Sequence, residues 1–64
     1  MARSEYIYVI EAYPRGGLVA ATTVKREIKE AIEDHGLAVS VTVFRGGKPI
    51  RYVRPYDLIE WLNS

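Results

Sequence analysis

The chain contains no cysteine and only one histidine among its 64 residues. Without thiols it forms neither disulfides nor thiolate zinc sites, and a single imidazole cannot build a histidine-rich metal site. No apolar stretch approaches the roughly 20 residues that a bilayer-spanning helix needs. These absences exclude disulfide scaffolds, zinc domains and helical membrane proteins, and no pattern in the chain implies a cofactor.

A strong net charge is also missing. Nine Lys and Arg residues are balanced by eight Asp and Glu residues, which gives a net charge of +1. The chain therefore has no overall attraction to nucleic acid or to anionic lipid. Because the N-terminal sequence lacks the cleavage region of a signal peptide, we expect a soluble cytoplasmic protein with no membrane partner.

The length of the chain leaves room for one compact domain, residues 1–64. A domain of this size buries only about 60% of its unfolded surface, so its stability is marginal without help. The usual helpers are disulfides, metals and self-association. With the first two excluded, we expect a homodimer.

The tripeptide Arg-Gly-Gly occurs twice, at residues 15–17 and 45–47, 30 residues apart. Glycine pairs permit positive φ and are common in hairpin turns, so both tripeptides are predicted to be turns. A β-branched and aromatic run precedes the first, at residues 6–10, and predicts a strand that is apolar on both faces, and therefore central or covered by a partner. Strict alternation over residues 37–45 predicts a half-buried strand before the second turn, and residues 48–54 a strand after it.

Two segments have helical spacing. The apolar residues Val24, Ile28, Ala31 and Ile32 form one stripe of a helix that ends near Gly36, with Thr22 or Thr23 as its N-cap. A second helix is predicted to begin at Pro55, which suits a first helical turn. Its apolar face consists of Leu58, Ile59, Trp61 and Leu62.

The predicted order of elements depends on residues 18–22, because their composition is compatible either with a short strand or with the start of the first helix. A shift of 30 residues superimposes the two turns and the two helix faces, and this favours a strand. We therefore predict an α+β protein of ββαββα order, with βαββα as the alternative. Either order gives a small antiparallel sheet of three or four strands with two helices on one face. The other face is then open and presents aromatic side chains.

Catalytic residues are not evident. The only histidine, His35, falls in the last helical turn, where a cation complements the helix dipole. Four carboxylates lie among lysines on the same helix and are expected to form a solvated surface, namely Glu27, Glu30, Glu33 and Asp34. No serine belongs to a nucleophile motif, and neither Gly-Gly pair fits a phosphate-binding loop. We expect no enzymatic activity.

An open aromatic sheet face favours protein binding. Tyrosine and phenylalanine are common anchors of interfaces, whereas Trp61 is expected to complete the small core. The sequence therefore predicts a non-enzymatic protein that binds a second copy or an unidentified protein partner. The candidate contact residues are Tyr6, Tyr8, Phe44 and Tyr52.

Basic and aromatic residues around the turns support an alternative function. If both turns lie at one end of the sheet, their side chains form one positive patch with stacking surfaces, which suits single-stranded nucleic acid. The residues of this candidate nucleic-acid site are Arg15, Arg45, Lys48, Arg51, Arg54 and Tyr56.

Residues 18–27, preceded by the Tyr-rich run at 6–10, resemble small uncharacterised proteins of tailed bacteriophages. Those proteins often begin with a Tyr-rich strand and carry an Ala-Ala-x-Thr-Val-Lys-x-Glu block that opens a helix. The resemblance covers the first half of the chain and brings no catalytic residues with it. It implies a phage protein, made in the host cytoplasm, that binds and redirects a host protein.

Overall fold

The computed structural model describes residues 6–64 and confirms the ββαββα order. The elements are β1 (Tyr6–Ala12), β2 (Leu18–Thr22), α1 (Lys25–His35), β3 (Val39–Arg45), β4 (Lys48–Val53) and α2 (Pro55–Asn63). The strands form one antiparallel sheet in the order β2-β1-β3-β4, with β1 at the centre as expected. None of the helices in the described range is long and apolar enough to cross a membrane.

One face of the sheet packs against both helices and forms the core. Alternate residues of β1 and β3 point to this face, so that Ile10 and Val41 are fully buried. Ile28 of α1 and Leu58 of α2 meet them and are also 0% exposed. The core is completed by Tyr8, Ala31, Val39, Val43, Val53 and Trp61.

The second Arg-Gly-Gly turn is a tight two-residue connection between β3 and β4. Gly46 and Gly47 have φ angles of 61° and 81°, and positive φ at both central residues is what a type I′ hairpin requires. The first turn is longer, and only Gly16 of its glycine pair has a positive φ. Both tripeptides are therefore turns, as predicted, but of different construction.

The predicted N-cap of α1 is wrong by one or two residues. Thr22 remains in β2, and its Oγ1 accepts a hydrogen bond of 3.0 Å from the Val24 amide. Val24 is the N-cap, with extended backbone angles and no side-chain cap. The threonine hydroxyl thus bonds the connection between strand and helix rather than the first helical turn.

The two ββα units are related by an approximate two-fold axis through the central pair of Val9 and Thr42. In each hairpin, three regular pairs are followed by a shift of register, which leaves one extra residue in the edge strand: Val19 in β2 and Ile50 in β4. The helices also correspond. Ile28 matches Leu58, and Ala31 matches Trp61 at the same 9% exposure. The two units therefore share one backbone arrangement of hairpin, bulge and helix, called here the frame.

Candidate functional site

The two Arg-Gly-Gly turns lie at opposite ends of the sheet. Because β1 and β3 are antiparallel neighbours, Tyr6 pairs with Arg45 at one end and Ala12 pairs with Val39 at the other. Arg15 follows the Ala12 end, so it lies more than roughly 20 Å from Arg45 along strands of seven residues. The condition for a single basic patch, that both turns lie at one end of the sheet, is therefore not met.

The remaining residues of that predicted patch are divided in the same way. Lys48 pairs with Arg45, and Arg51 pairs with Val43 in the same half of the sheet. Arg54 follows the far end of β4 and lies 3.8 Å from the carboxylate of Asp57. Tyr56 is 79% exposed on α2 and belongs to neither turn.

The predicted protein-binding residues also fall into two groups. Tyr8 faces the core, is 8% exposed and packs edge-on against Trp61, with ring centroids 5.7 Å apart. Tyr6 lies on the same face of β1 at the border of the core. Phe44 and Tyr52 face the opposite side of the sheet. Tyr8 is therefore a core residue, and Trp61 is one too, as expected.

The side of the sheet opposite the helices, called here the open face, is largely apolar. No helix in residues 6–64 covers it, and Ile7 and Tyr52 are 46% and 53% exposed. Its polar residues are concentrated near the first turn, where Glu11 pairs with Ser40, although Ser40 itself is buried at 3% exposure. The open face consists of Ile7, Val9, Glu11, Leu18, Ala21, Ser40, Thr42, Phe44, Pro49 and Tyr52.

A second feature is a cleft of about 340 Å³ on the helix side, called here the basic cleft. The ammonium group of Lys25 lies 4.6 Å from the centroid of the Trp61 ring, a cation–π contact that holds it at the cleft. At the cleft's border, the guanidinium of Arg45 lies 5.6 Å from the Tyr6 ring centroid. The cleft is lined mainly by Tyr6, Tyr8, Lys25, Ile50, Arg51 and Trp61.

The two-fold axis relates the part of the basic cleft formed by Ile50, Arg51 and Trp61 to a groove between α1 and β2, called here the acidic groove. Carboxylates border both places, because Asp57 and Glu60 of α2 are the equivalents of Glu27 and Glu30. In the acidic groove, Ala31 occupies the place of Trp61, and Ala20 that of Arg51. The volume is about 230 Å³. Its lining includes Val19, Ala20, Ala31, Glu27, Glu30, Asp34 and His35.

The carboxylates of α1 do not converge. Glu27, Glu30, Glu33 and Asp34 are all exposed, and His35 is the last residue of the helix, as predicted. Among residues 6–64, no group of three or more histidines and carboxylates is placed to hold a metal ion.

Comparison of the chain with protein-family models, curated protein sequences and solved structures finds no match. The resemblance to tailed-bacteriophage proteins therefore stays a prediction.

Lys25 and Ile50 were not singled out by sequence reasoning. Lys25 reads as one more charge on the polar side of α1, and Ile50 as part of an ordinary strand. Tyr6, Tyr8 and Arg51 of the cleft were candidates from the sequence, but for two different sites. The cleft itself is indicated by the pairing of Ala31 with Trp61 under the 30-residue shift, because so large a difference at an equivalent core position requires different surroundings.

Proposed function

We propose that this chain is a small non-enzymatic binding protein that acts through protein contact at its open face. The observation that supports this proposal is the apolar character of that face. An antiparallel sheet that covers a core on one side normally turns polar side chains to water on the other. Here exposed Ile7 and Tyr52 lie beside partly buried Val9 and Phe44. A contiguous apolar surface of this kind marks an interaction site.

The partner that we propose for the isolated protein is a second copy, packed sheet against sheet. Two such faces can interdigitate at about 10 Å, as in β-sandwiches. Four strands of up to seven residues make a face of roughly 19 by 24 Å, or roughly 460 Å² in projection. A standard interface buries about 800 Å² per partner. Because small interfaces are typical of weak association, we expect a weak homodimer.

Sedimentation velocity from about 1 µM to about 1 mM tests this proposal. The wild-type average mass is expected to rise towards twice the 7.3 kDa of one chain. Tyr52→Glu places a charge on the open face and is expected to remain monomeric. Tyr56→Glu is the matched control, because Tyr56 is 79% exposed on α2, and it should associate like wild type. A wild-type chain that stays monomeric throughout would overturn the dimer.

The phage resemblance extends the proposal to a cytoplasmic host protein that replaces the second copy on the same face. A photo-crosslinking amino acid at position 52 is expected to capture that partner in cells. The same amino acid at position 56, on the other side of the molecule, should not. Identical crosslinked products from both positions would contradict the open face as the binding surface.

A further inference from the structure

Within the part of the chain that the structure describes, two cations of the basic cleft have no carboxylate partner. Within residues 6–64, neither Lys25 nor Arg51 forms an ion pair, whereas nearby Arg54 does so with Asp57. Lys25 is partly buried and held over the Trp61 ring, so its charge is fixed in place and incompletely hydrated. Lys25 is also the first residue of α1, where the helix dipole adds positive potential. Together these charges make the cleft attractive to an anion.

The acidic groove shows that the fold does not require this arrangement. It is built on the same frame of helix, edge strand and extra bulge residue, with Val19 in the place of Ile50. At the positions of Arg51 and Trp61 it has only alanines, yet Ile28 beneath it is as fully buried as Leu58. The same backbone frame therefore forms with alanine at both places. The frame therefore does not require a cation at the position of Arg51, whereas Trp61 and Tyr8 belong to the hydrophobic core.

The size and rings of the cleft restrict the ligand. Its volume of about 340 Å³ is near the lower end of the range of about 300–1,000 Å³ for small-molecule sites. Trp61 is 9% exposed and has little free surface, whereas Tyr6 at the border is 38% exposed and has the Arg45 guanidinium over one face of its ring. Beyond Arg51, Asp57 and Glu60 line an adjoining hollow and disfavour a further negative group there. The cleft thus suits one anionic group and one planar ring.

We propose that the basic cleft binds a nucleotide, with its single phosphate between Lys25 and Arg51 and its base against Tyr6. Lys and Arg form charge-assisted hydrogen bonds with phosphate oxygens, and bases stack on exposed aromatic side chains. The nucleotide is either a free nucleoside monophosphate or one unit of a single strand. Both sources present the same phosphate and base to the cleft, which lies on the opposite side of the sheet from the open face.

Trp61 reports directly on this site because it is the only tryptophan in the chain. The full chain is titrated with AMP, adenosine, inorganic phosphate and a short oligothymidylate, with Trp61 fluorescence and its indole N–H resonance as readouts. AMP, the oligonucleotide or both are expected to give a saturable change. A change with AMP alone would identify the ligand as a free nucleotide. A change with the oligonucleotide alone would identify it as a single strand. The absence of saturation at millimolar concentration for both overturns the proposal, as does inorganic phosphate binding as tightly as AMP.

Matched variants separate the site from general charge effects. Lys25→Gln and Arg51→Gln are each expected to weaken binding about tenfold, the loss of one charge-assisted hydrogen bond. Lys29→Gln on the same helix and Arg15→Gln at the far end of the sheet remove the same charge, and should change affinity less than about twofold. Circular dichroism confirms that each variant is folded. Equal weakening by all four variants would show non-specific attraction and overturn the assignment.

Discussion

The two ββα units have the same frame but different side chains between helix and edge strand. In the second unit, Trp61 fills the space beneath α2, contacts Tyr8 and supports Lys25. In the first unit, the small side chain of Ala31 does not fill the equivalent space, which forms the acidic groove bordered by carboxylates of α1. The strand pairs, the bulge and the fully buried helix residue are the same in both. The shared features define the fold, and the differences define where the proposed nucleotide site lies.

A second difference, between the ends of the open face, supports the same conclusion. Near the second turn, Ile7 pairs with Phe44, whereas near the first turn Glu11 pairs with Ser40. The two-fold axis exchanges these ends, so the backbone has equivalent geometry at both. Only the side chains make one end apolar and the other polar. We therefore expect contact with a partner to centre on the Phe44 end.

The largest expected effect comes from removing the residue that distinguishes the two units. Trp61→Ala leaves a cavity beside Tyr8 and releases Lys25, and should reduce the free energy of unfolding by about 3–5 kcal/mol. Chemical denaturation followed by circular dichroism measures the loss. Trp61→Phe keeps a ring and should lose less. Tyr56→Ala, at a 79% exposed position of the same helix, should change stability by less than about 0.5 kcal/mol.

The shared frame can be tested at its two equivalent core positions. Ile28 and Leu58 are each 0% exposed, so Ile28→Ala and Leu58→Ala should each cost about 2–5 kcal/mol. Chemical denaturation of both variants in the same buffer compares their free energies of unfolding. If Ile28→Ala is unfolded, Ile28→Val, with an expected loss of about 1 kcal/mol, can be measured in its place. A negligible cost for Ile28→Ala beside a large cost for Leu58→Ala would show that the first unit does not share the core.

Much of this frame was predictable from local chemistry. The alternation in β3, the glycine turns and the apolar stripe of α1 each specify an element, and their order follows. The bounds were less accurate: residue 37 was predicted to begin a strand, but β3 starts at Val39 and Leu37 is 48% exposed in the connection. Short connections of this kind depend on tertiary packing rather than on propensity.

The candidate site was harder to predict, for two physical reasons. A 30-residue repeat does not reveal the direction in which the second unit runs, and that direction separates Arg15 from Arg45. Strand β1 is apolar on both faces, so alternation could not show that Tyr8 faces the core while Ile7 faces outward. Phe44 was placed correctly on the open side because β3 alternates strictly, with Val41 and Val43 buried. Tyr52 lies on the same side because it pairs with Thr42.

The two Arg-Gly-Gly turns provide a further comparison, in which the expected difference in stability is of intermediate size. Gly47 has a φ of 81°, a region where an L-residue costs roughly 1–2 kcal/mol, although no atom lies within 4 Å of the place that an alanine methyl group would occupy. Gly47→Ala should therefore destabilise the fold by about 1 kcal/mol through the backbone alone. Gly17 has equally open surroundings but no positive φ, so Gly17→Ala should be nearly neutral. Equal costs in urea denaturation would contradict this account of the turns.

The smallest expected difference lies at the helix N-termini. Glu27 and Asp57 occupy the same place in the first turn, and their amides bond the N-cap carbonyls at 3.1 and 3.0 Å. Both carboxylates complement the helix dipole, but Asp57 also lies 3.8 Å from Arg54, with both side chains more than half exposed. Asp57→Asn should therefore cost about 0.5 kcal/mol and Glu27→Gln about 0.3 kcal/mol. About 1 M salt should remove most of both costs, because the Debye length falls to roughly 3 Å. A salt-independent cost above about 1.5 kcal/mol for Asp57→Asn would mean that this carboxylate has a structural role which its equivalent in the first unit lacks.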